Sequence, residues 1–565
     1  MPLPSVKTGR HAIIEQFMLD GMPYMFGNPG TVEQGFLDAL EDYPDFHYIL
    51  TLQETIAVAM ADGYARALNH PALVQLHSSV GVGNGIGMIY QAMRGHAPLV
   101  VIAGEAGTQY DPMDAQMAVD LVAMAKPVTK YATRVIDPQS LLRVLRRAIK
   151  IAATPPCGPV FISLPMDVLD APITEEVRPT TKIHSRVTPP IEQLQEAANL
   201  LAAAQNPLIL MGDGISFSGA QGELAAVAEA VGAPVWGVNS SEVNLPASHP
   251  LNAGLTGHMF GETSQKIVKD ADVILVSGTY LFPEVFPSLG SPFKPDAKLI
   301  HIDLNVYEIA KNFDVDLALM GDPKSALAIL AGLLNVQMSD EQKNSAHQRT
   351  EKYGQQKRQQ EEQARSRDLD QKTQTQKNHT ALHMAAFTEI LADLVPEDTI
   401  IFDEALTNSP ALNRYLPANK PGHFFQTRGG SLGVGIPGAL GIKLAKPDST
   451  VIAFTGDGGS MYTIQALWTA AHHNINAKFV VCNNGAYLLL KRNIDQYWKE
   501  QGIEAHGYPK SFDLLEPVID FVKVSEGLHV PAMRVETLEQ IRPAIIQMLR
   551  HQGPFLIDLV LSAES

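Results

Sequence analysis

Short apolar runs alternate with helix-length segments along the whole chain. Most of these runs end in Gly, Asn or Asp, as in "MPYMFGNPG", "LVVIAGEAG", "PLILMGDG", "STVIAFTGDGG" and "AKFVVCNNG". Buried strands of parallel sheets have this composition, and strands that are separated by helical segments form βαβ units. The pattern therefore predicts an α/β protein built from doubly wound parallel-sheet domains.

Two polar stretches interrupt this alternation. Residues 172–190, "PITEEVRPTTKIHSRVTPP", are rich in Pro and suit a linker, whereas residues 339–378 are almost entirely polar and form either a solvated helix or a mobile tether. A chain of 565 residues also exceeds the usual size of a single core. We predict domains at 1–172, 191–337 and 381–565, with a polar linker at 338–380. The first and third domains share one plan of strands and helices, although their residues show no convincing repeat.

Charge and cysteine content narrow the class of partner. The 60 acidic and 43 basic residues give a net charge of −17, which disfavours broad binding to nucleic acid or to anionic membranes. The apolar runs are much shorter than the roughly 20 residues that span a bilayer. The two cysteines, Cys157 and Cys482, offer neither a disulfide framework nor a cysteine zinc site, which fits a reducing cytoplasm. A small-molecule partner is expected.

The segment "GDGGSMYTIQALWTAAHHNINAKFVVCNN" carries the clearest chemical signal. A glycine-rich turn between a strand and a helix is suited to phosphate, yet this turn contains Asp457 and no lysine. Asn484 ends the next apolar run, so both side chains are expected at the same edge of a sheet. Their oxygens suit Mg²⁺, which would neutralise a diphosphate, with a backbone carbonyl near Ala486 as a third ligand. Taken alone, "GDG" or "NNG" is also typical of an ordinary tight turn.

This segment resembles the signature of the thiamine diphosphate-dependent enzymes. "MFGNPGTVEQGFLDAL", "YILTLQETIAVAMADGYARA" and "GGSLGVGIPGALGIKLA" resemble benzoylformate decarboxylase and the acetolactate synthase-like 2-oxoacid decarboxylases and carboligases. The resemblance covers essentially the whole chain. It implies a pyrimidine-binding, a middle and a diphosphate-binding domain, with thiamine diphosphate and Mg²⁺ as cofactors. FAD is not expected, because the lone glycines of "GDGISFSG" are weak evidence for a flavin site.

The resemblance assigns cofactor contacts to particular residues. It implies that Leu432 supports a bent cofactor conformation and that the Gly430 carbonyl accepts a hydrogen bond from the cofactor's amino group. Without it, "RGGSLG" is typical of a routine strand-to-helix turn. The remaining implied contacts are the metal ligands Asp457, Asn484 and the Ala486 carbonyl, and the diphosphate turn with Thr407, Asn408, Gly458, Gly459 and Ser460.

Three residues of the first domain are candidates for catalysis. Glu54 begins an almost purely apolar helical pattern, so its partly desolvated carboxyl suits proton exchange with the cofactor, although a first-turn glutamate also simply favours the helix dipole. His77 ends a strand, where a lone histidine is usually structural; the resemblance implies proton transfer instead. Thr31 stands where benzoylformate decarboxylase has a serine that meets the substrate carboxylate.

The resemblance weakens around the substrate. The decarboxylase has a second active-site histidine in its middle domain, but here Val285 or Phe286 falls near that place. Leu488, Leu489 and Leu490 either line an aliphatic pocket or form helix core; both interpretations stay open. His96, His472 and His473 lie in apolar helical surroundings and are expected to be structural.

Together these features predict a 2-oxoacid decarboxylase or carboligase that acts through an ylid and an enamine of the cofactor. The missing histidine favours carbon–carbon bond formation, for which an acceptor aldehyde would be the second substrate. An acetolactate synthase-like transferase and a catalytically idle cofactor-binding homologue are the alternatives. Because Glu54 and the metal ligands lie in different domains, the resemblance implies a homodimer or homotetramer with active sites at subunit interfaces.

Overall fold

The computed structural model describes residues 7–259, 261–378 and 380–563. The described chain forms two compact units. The first comprises the described parts of Met1–Ile183, Gln374–Leu412 and Gln426–Ser565, and the second comprises His184–Thr373 and Asn413–Phe425. Three six-stranded sheets are present in these residues, and the strand pairs whose register is described all run parallel. The prediction of doubly wound parallel-sheet domains is confirmed.

The first sheet has the order β2-β1-β3-β4-β6-β5. Its strands are β1 Tyr24–Gly27, β2 His47–Leu50, β3 Ala72–His77, β4 Leu99–Glu105, β5 Tyr131–Arg134 and β6 Val160–Pro165. The associated helices are α1 Gly9–Leu19, α2 Gln34–Ala39, α3 Glu54–Leu68, α4 Ser78–Arg94, α5 Leu121–Ala125, α6 Leu141–Ala153 and α7 Met166–Asp170.

The second unit contains the sheet β12-β11-β10-β7-β8-β9. Its strands are β7 Pro207–Met211, β8 Val235–Gly237, β9 Asn252–Leu255, β10 Val273–Ser277, β11 Lys298–Asp303 and β12 Leu317–Met320. The helices that follow residue 190 up to residue 378 are α8 Ile191–Ala203, α9 Gly214–Ser218, α10 Gln221–Val231, α11 Gly261–Val268, α12 Pro323–Gln337 and α13 Asp340–Asn378.

The third sheet has the order β14-β13-β15-β16-β18-β17, which repeats the order of the first sheet strand for strand. The similarity of plan between the first and third domains is therefore confirmed. Its strands are β13 Ile400–Glu404, β14 Phe424–Gln426, β15 Val451–Gly456, β16 Lys478–Asn483, β17 Ala532–Val535 and β18 Phe555–Val560. The remaining helices are α14 Met384–Ala392, α15 Ser409–Tyr415, α16 Gly435–Ala445, α17 Asp457–Ser460, α18 Ala466–His472, α19 Leu488–Gln501, α20 Phe521–Gly527 and α21 Leu538–Arg550.

The strands are apolar because helices cover both faces of each sheet. All seven residues of β4 and all five of β7 are buried. Burial of each Val, Leu, Ile or Met side chain among them contributes on the order of 1.5–3 kcal/mol. Polar residues appear where the strands end, and this is what places functional side chains along one edge of a sheet.

The polar stretch that was expected to be a helix or a tether is the 39-residue helix α13. In the second unit its basic side chains bind backbone carbonyls. Lys357 donates to the carbonyls of Ala247, His249 and Asn252, and Arg349 donates to that of Val231. Because α13 has no large apolar face, these charge-assisted hydrogen bonds hold it in place.

Helices α3 and α16 join the N-terminal and C-terminal sheets within the first unit. A Cβ atom added to Gly441 would lie 1.9 Å from the carbonyl oxygen of Met60, and one added to Gly63 would lie 2.2 Å from that of Gly438. The two backbones are therefore in direct contact, which glycine alone permits. Glu54 begins one of these helices, and the other starts directly after the segment that contains Leu432.

In the part of the chain that the structure describes, no helix has both the length and the apolar character needed to cross a membrane.

Candidate functional site

Three neighbouring strands of the C-terminal sheet end beside one cavity of about 470 Å³. β13 ends at Glu404, β15 at Gly456 and β16 at Asn483, and β15 pairs with both of the others. Because the strands are parallel, the residues that follow them converge at one edge. The cavity wall contains most of the predicted cofactor and metal residues: Thr407, Asn408, Leu432, Asp457, Gly458, Gly459, Asn484, Ala486 and Leu488.

Asp457 connects the two turns of the sequence signature, "GDGG" and "CNNG", through hydrogen bonds. Its Oδ1 accepts a hydrogen bond of 2.7 Å from the Gly458 N–H, and its Oδ2 accepts one of 2.7 Å from the Gly485 N–H. Asn484 in turn accepts a hydrogen bond from the Ala486 N–H at its Oδ1. Burial raises the pKa of the Asp457 carboxyl, while the surrounding backbone amides oppose that rise. The turns "GDGG" and "CNNG" thus form one hydrogen-bonded unit.

Two residues predicted to contact the cofactor lie outside the cavity wall. Ser460 is fully buried and its hydroxyl donates to the Asp457 carbonyl at 2.8 Å. Gly430 belongs to a turn in which Gly429, Gly430 and Gly433 have φ of +67°, +81° and +81°. Such φ values favour glycine and explain why the stretch before Leu432 is glycine-rich.

Leu488, Leu489 and Leu490 line the cavity at the start of α19. Leu490 is 42% exposed, and the other two are only partly buried. Of the two interpretations considered from the sequence, this placement corresponds to a wall of the cavity and not to helix core. Tyr487, directly before them, packs against the turn, since a Cβ atom on Gly458 would lie 2.3 Å from its ring.

Glu404 is a residue of this site that sequence reasoning missed. It is 1% exposed and accepts hydrogen bonds from the N–H groups of Gly433, Val434 and Gly435 and from the Thr455 hydroxyl, at 2.5 to 3.3 Å. Burial outweighs these hydrogen bonds and raises the pKa of Glu404 to about 7. An acidic residue at the end of an apolar strand, two positions before "LTN", was the available signal.

In the N-terminal domain, Glu54 is held by two amide side chains. Asn28 Nδ2 donates to Glu54 Oε1 at 3.2 Å, and Asn84 Nδ2 donates to Oε2 at 3.0 Å. The carboxyl is 5% exposed at the first position of α3, and Gln53 caps that helix. The sequence suggested neither asparagine: Asn28 follows β1 in "GNPG", and Asn84 lies within α4 in "GVGNG".

His77 pairs with a second buried acid, Glu33. The His77 Nδ1 and the Glu33 Oε2 are 3.0 Å apart, and the Gly104 N–H donates to Glu33 Oε1 at 3.1 Å. Burial raises the pKa of Glu33 against these contacts. An ionised Glu33 keeps the proton of a neutral imidazole on Nδ1, which leaves Nε2 as the acceptor. Glu33 was also missed from the sequence.

Glu54 and His77 are neighbours in the N-terminal domain. A Cβ atom on Gly81 would lie 3.0 Å from Glu54 Oε1 and 3.2 Å from His77 Cβ. Thr31 is exposed at the start of a short 3₁₀ turn two residues before Glu33. Phe286 belongs to the second unit and is 58% exposed there. The wall of the 470 Å³ cavity is formed by residues of the C-terminal domain, and Glu54 is not part of it.

Within the described residues, no cluster of three His, Cys, Asp or Glu side chains has the arrangement of a metal site. An acid, an amide and a backbone carbonyl form a different kind of ligand set, and the cavity wall contains Asp457, Asn484 and Ala486. This oxygen-rich set fits Mg²⁺, which prefers hard ligands and keeps positions for phosphate and water.

Comparison with known proteins agrees with this geometry. The N-terminal TPP-binding, central and C-terminal TPP-binding domain models of the thiamine pyrophosphate enzymes match residues 7–124, 194–330 and 407–559. The benzoylformate decarboxylase of Pseudomonas aeruginosa is 30% identical over 98% of this chain and 99% of its own length. A probable acetolactate synthase large subunit of Methanocaldococcus jannaschii is also 30% identical, over 98% of this chain and 92% of its own.

Among solved structures, the thiamine diphosphate-dependent 4-hydroxybenzoylformate decarboxylase of Rhodococcus jostii RHA1 superimposes with a TM-score of 0.84. It is 27% identical, and the match covers 98% of this chain and 99% of that one. Fold and site thus define a thiamine diphosphate-dependent enzyme of the decarboxylase and acetolactate synthase type. The chain belongs to the thiamine pyrophosphate enzyme family, as the motif resemblance predicted.

Proposed function

We propose that this protein is a thiamine diphosphate- and Mg²⁺-dependent 2-oxoacid decarboxylase or carboligase. The observation that carries the proposal is the convergence of Asp457, Asn484 and the GDGG turn on one cavity, together with a buried Glu54 whose two oxygens are each bound by an amide. Thiamine diphosphate, when bound, supplies a carbon nucleophile and an electron sink for decarboxylation. The protein would contribute side chains and backbone groups that bind and orient the cofactor and move protons.

The cavity would hold the diphosphate end of the cofactor. Asp457, Asn484 and the Ala486 carbonyl would bind Mg²⁺, while Thr407, Asn408, Gly458, Gly459 and Ser460 would form or support the diphosphate turn. Leu432 on the wall and the Gly430 carbonyl would contact the rest of the cofactor. The N–H groups at the start of a helix and a divalent cation both stabilise a diphosphate, which supports this assignment.

Glu54 and His77 would handle protons. Glu54, anchored by Asn28 and Asn84, would exchange a proton with a ring nitrogen of the cofactor. His77, oriented by Glu33, would exchange a proton with the substrate-derived group, and Thr31 would meet the substrate carboxylate with its hydroxyl. A positioned acid or base of this kind contributes typically 10²- to 10⁴-fold to a rate.

The substrate region favours ligation over rapid aldehyde release. No histidine follows β10 at the position where the decarboxylases have one; Val285 and Phe286 stand there, exposed in the second unit. The wall formed by Leu488, Leu489 and Leu490 is aliphatic. We propose a 2-oxoacid donor and an acceptor aldehyde, bound at an active site that two subunits of a homodimer or homotetramer form together.

A panel of 2-oxoacids, supplied with thiamine diphosphate and Mg²⁺ and with or without an acceptor aldehyde, tests this function. Carbon dioxide and ligated product are followed together, and we expect ligated product with at least one donor. Glu54→Gln should remove nearly all turnover while cofactor binding stays measurable. The control is Glu41→Gln, an exposed glutamate of the same domain. An active Glu54→Gln variant would rule out the proposed role.

An acetolactate synthase-type transferase is the second candidate, supported by the absent histidine and by the 30% identity to a probable acetolactate synthase large subunit. Consumption of two pyruvates per carbon dioxide would favour it. Tightly bound flavin would also favour it, although the glycines of "GDGISFSG" are weak evidence for a flavin site. Cofactor binding without turnover of any 2-oxoacid would instead indicate a catalytically idle homologue.

A further inference from the structure

The Glu404 carboxylate accepts more hydrogen bonds than the single side-chain oxygen of glutamine, its neutral analogue, could accept. Its Oε1 accepts from the N–H groups of Gly433 and Val434, at 2.5 and 3.3 Å. Its Oε2 accepts from the Gly435 N–H at 2.7 Å and from the Thr455 hydroxyl at 3.2 Å. Three consecutive backbone amides therefore surround one carboxylate, a concave arrangement that suits an anion.

The segment that these amides belong to shapes the cavity. Leu432 lies on the cavity wall directly before Gly433. The Gly433 carbonyl accepts a hydrogen bond of 2.7 Å from the Thr463 hydroxyl, which ties the same turn to the residues that follow the GDGG motif. Gly430 and Gly433 both have positive φ, a conformation that glycine adopts readily, so hydrogen bonds such as these help to fix the shape of the turn.

We propose that Glu404 is a positioning residue for the cofactor: by binding the amides of Gly433 to Gly435, it holds the turn in the shape that places Leu432 against thiamine diphosphate. The inference rests on the cofactor placement proposed above. Glu404 itself would act through Leu432 and the turn, not through contact with the diphosphate.

Replacing Glu404 with glutamine removes the charge of the carboxylate but keeps the shape of the side chain. Glutamine keeps the length of the side chain but replaces one oxygen with an N–H₂ group. In either orientation that group faces at least one backbone N–H, so one or two of the amides lose their acceptor. A buried amide without an acceptor is unfavourable, and the turn can avoid this only by opening.

The experiment measures binding of two ligands to the full-length protein at pH 8, above the pKa of Glu404 of about 7. The ligands are thiamine diphosphate and inorganic pyrophosphate, each with Mg²⁺. Glu404→Gln should weaken thiamine diphosphate binding by about tenfold or more, and pyrophosphate binding by less than about threefold. The second ligand reports on the diphosphate turn alone, so equal losses for both would overturn the inference and indicate general damage to the domain.

Asp213→Asn provides the matched control. Asp213 is 8% exposed in the second unit and, like Glu404, accepts hydrogen bonds from backbone amides of a neighbouring loop, those of Ser241 and Glu242. The substitution removes the same kind of interaction away from the cavity. It should lower the thermal midpoint without changing the affinity for thiamine diphosphate.

A double-mutant cycle with Leu432→Ala tests whether Glu404 acts through the leucine. If it does, the double variant should bind thiamine diphosphate about as weakly as the weaker single variant, because the second substitution has nothing left to disturb. Additive losses would overturn the proposal. Wild-type protein that binds no thiamine diphosphate would contradict the proposed function itself, whereas wild-type binding with an unaffected Glu404→Gln variant would contradict only the positioning role.

Discussion

The position of the His77 ring depends on two residues that surround it, Glu33 and Gly30. Glu33 contacts one nitrogen of the ring, and Gly30 lies so close that an added Cβ atom would be 1.9 Å from Nδ1. Gly30 has an extended backbone, with φ of −141°, which any residue adopts. The glycine is therefore needed for space and not for conformational freedom, and it leaves room for the ring to meet its carboxylate.

Gly30→Ala should displace the His77 ring and break its contact with Glu33. We expect at least about a tenfold loss of turnover with a small change in thermal midpoint, since proton transfer by a misplaced histidine is lost while the core is untouched. Steady-state kinetics and thermal unfolding measure the two effects. Gly222→Ala is the control, because a Cβ atom there meets nothing within 4 Å. A Gly30→Ala variant with normal turnover would show that His77 is not used as proposed.

At the scale of elements, the contact of α3 with α16 connects the proposed catalytic acid to the proposed cofactor turn. Glu54 starts α3, and α16 starts at Gly435, whose amide binds Glu404. Since the helices touch through backbone atoms at Gly441 and Gly63, a single methyl group is enough to separate them.

Gly441→Ala should destabilise the first unit by about 1–3 kcal/mol, because its methyl group would overlap the Met60 carbonyl, which cannot rotate away. Gly332→Ala is the matched substitution inside α12, where no atom lies within 4 Å of the added Cβ. That change should raise stability by about 0.5–1 kcal/mol through helix propensity. Thermal unfolding of both variants checks the pair; a stable Gly441→Ala protein would mean that the helices can move apart freely.

Helix α18 and the strand β2 form a second contact between the two sheets of the first unit. The His473 Nε2 accepts a hydrogen bond of 2.9 Å from the Leu50 N–H, and the Thr469 hydroxyl donates to the Leu50 carbonyl at 3.1 Å. Both main-chain groups at the end of an edge strand are thus bound by side chains. Since Nε2 is an acceptor here, the contact requires a neutral imidazole. This is a structural role, as expected for that histidine.

This contact should make stability depend on pH. Burial, with a smaller contribution from His472, lowers the pKa of His473 from 6.5 to about 4. Unfolding therefore takes up a proton between these values, so the stabilisation is complete above about pH 6.5 and is lost as the pH falls towards 4. Allowing for the partial exposure of the ring, we expect an effect on the order of 1–2 kcal/mol.

His473→Gln isolates that effect, because a glutamine oxygen accepts the same N–H without titrating. Thermal midpoints measured from pH 4.5 to 7.5 should fall less steeply towards low pH in the variant than in the wild type. Identical slopes would show that other groups account for the acid sensitivity.

At the scale of the whole molecule, the proposed active site needs Glu54 from one subunit and Asp457 from another. The cavity wall contains C-terminal residues, while Glu54 is held by Asn28 and Asn84 in the N-terminal domain. If two subunits form each active site, activity should return when subunits of two inactive variants are combined in one oligomer.

Glu54→Gln and Asp457→Asn should each be inactive, yet mixing them under conditions of subunit exchange should restore about a quarter of wild-type activity. Half of the dimers are then mixed, and each mixed dimer contains one intact site of two. Light scattering should show at least a dimer. Absence of recovery after verified exchange would place Glu54 and Asp457 of the same chain in one site.

The sequence by itself determined what depends on local pattern. Apolar runs with polar ends predicted the parallel sheets, because burial on both faces leaves few alternatives for such strands. The GDGG and CNNG turns predicted Asp457 and Asn484 at one sheet edge, because one βαβ crossover fixes where the two strand ends lie. These predictions needed only short-range geometry.

Tertiary structure alone decided which buried polar groups meet. Glu404 finds its amides about 30 residues further along, Glu33 finds His77 44 residues away, and Glu54 finds Asn84 30 residues away. Nothing in the local pattern distinguishes these partners from other polar residues near strand ends. Their pairing follows from packing, because a buried carboxyl must be satisfied by whichever donors the fold brings to it.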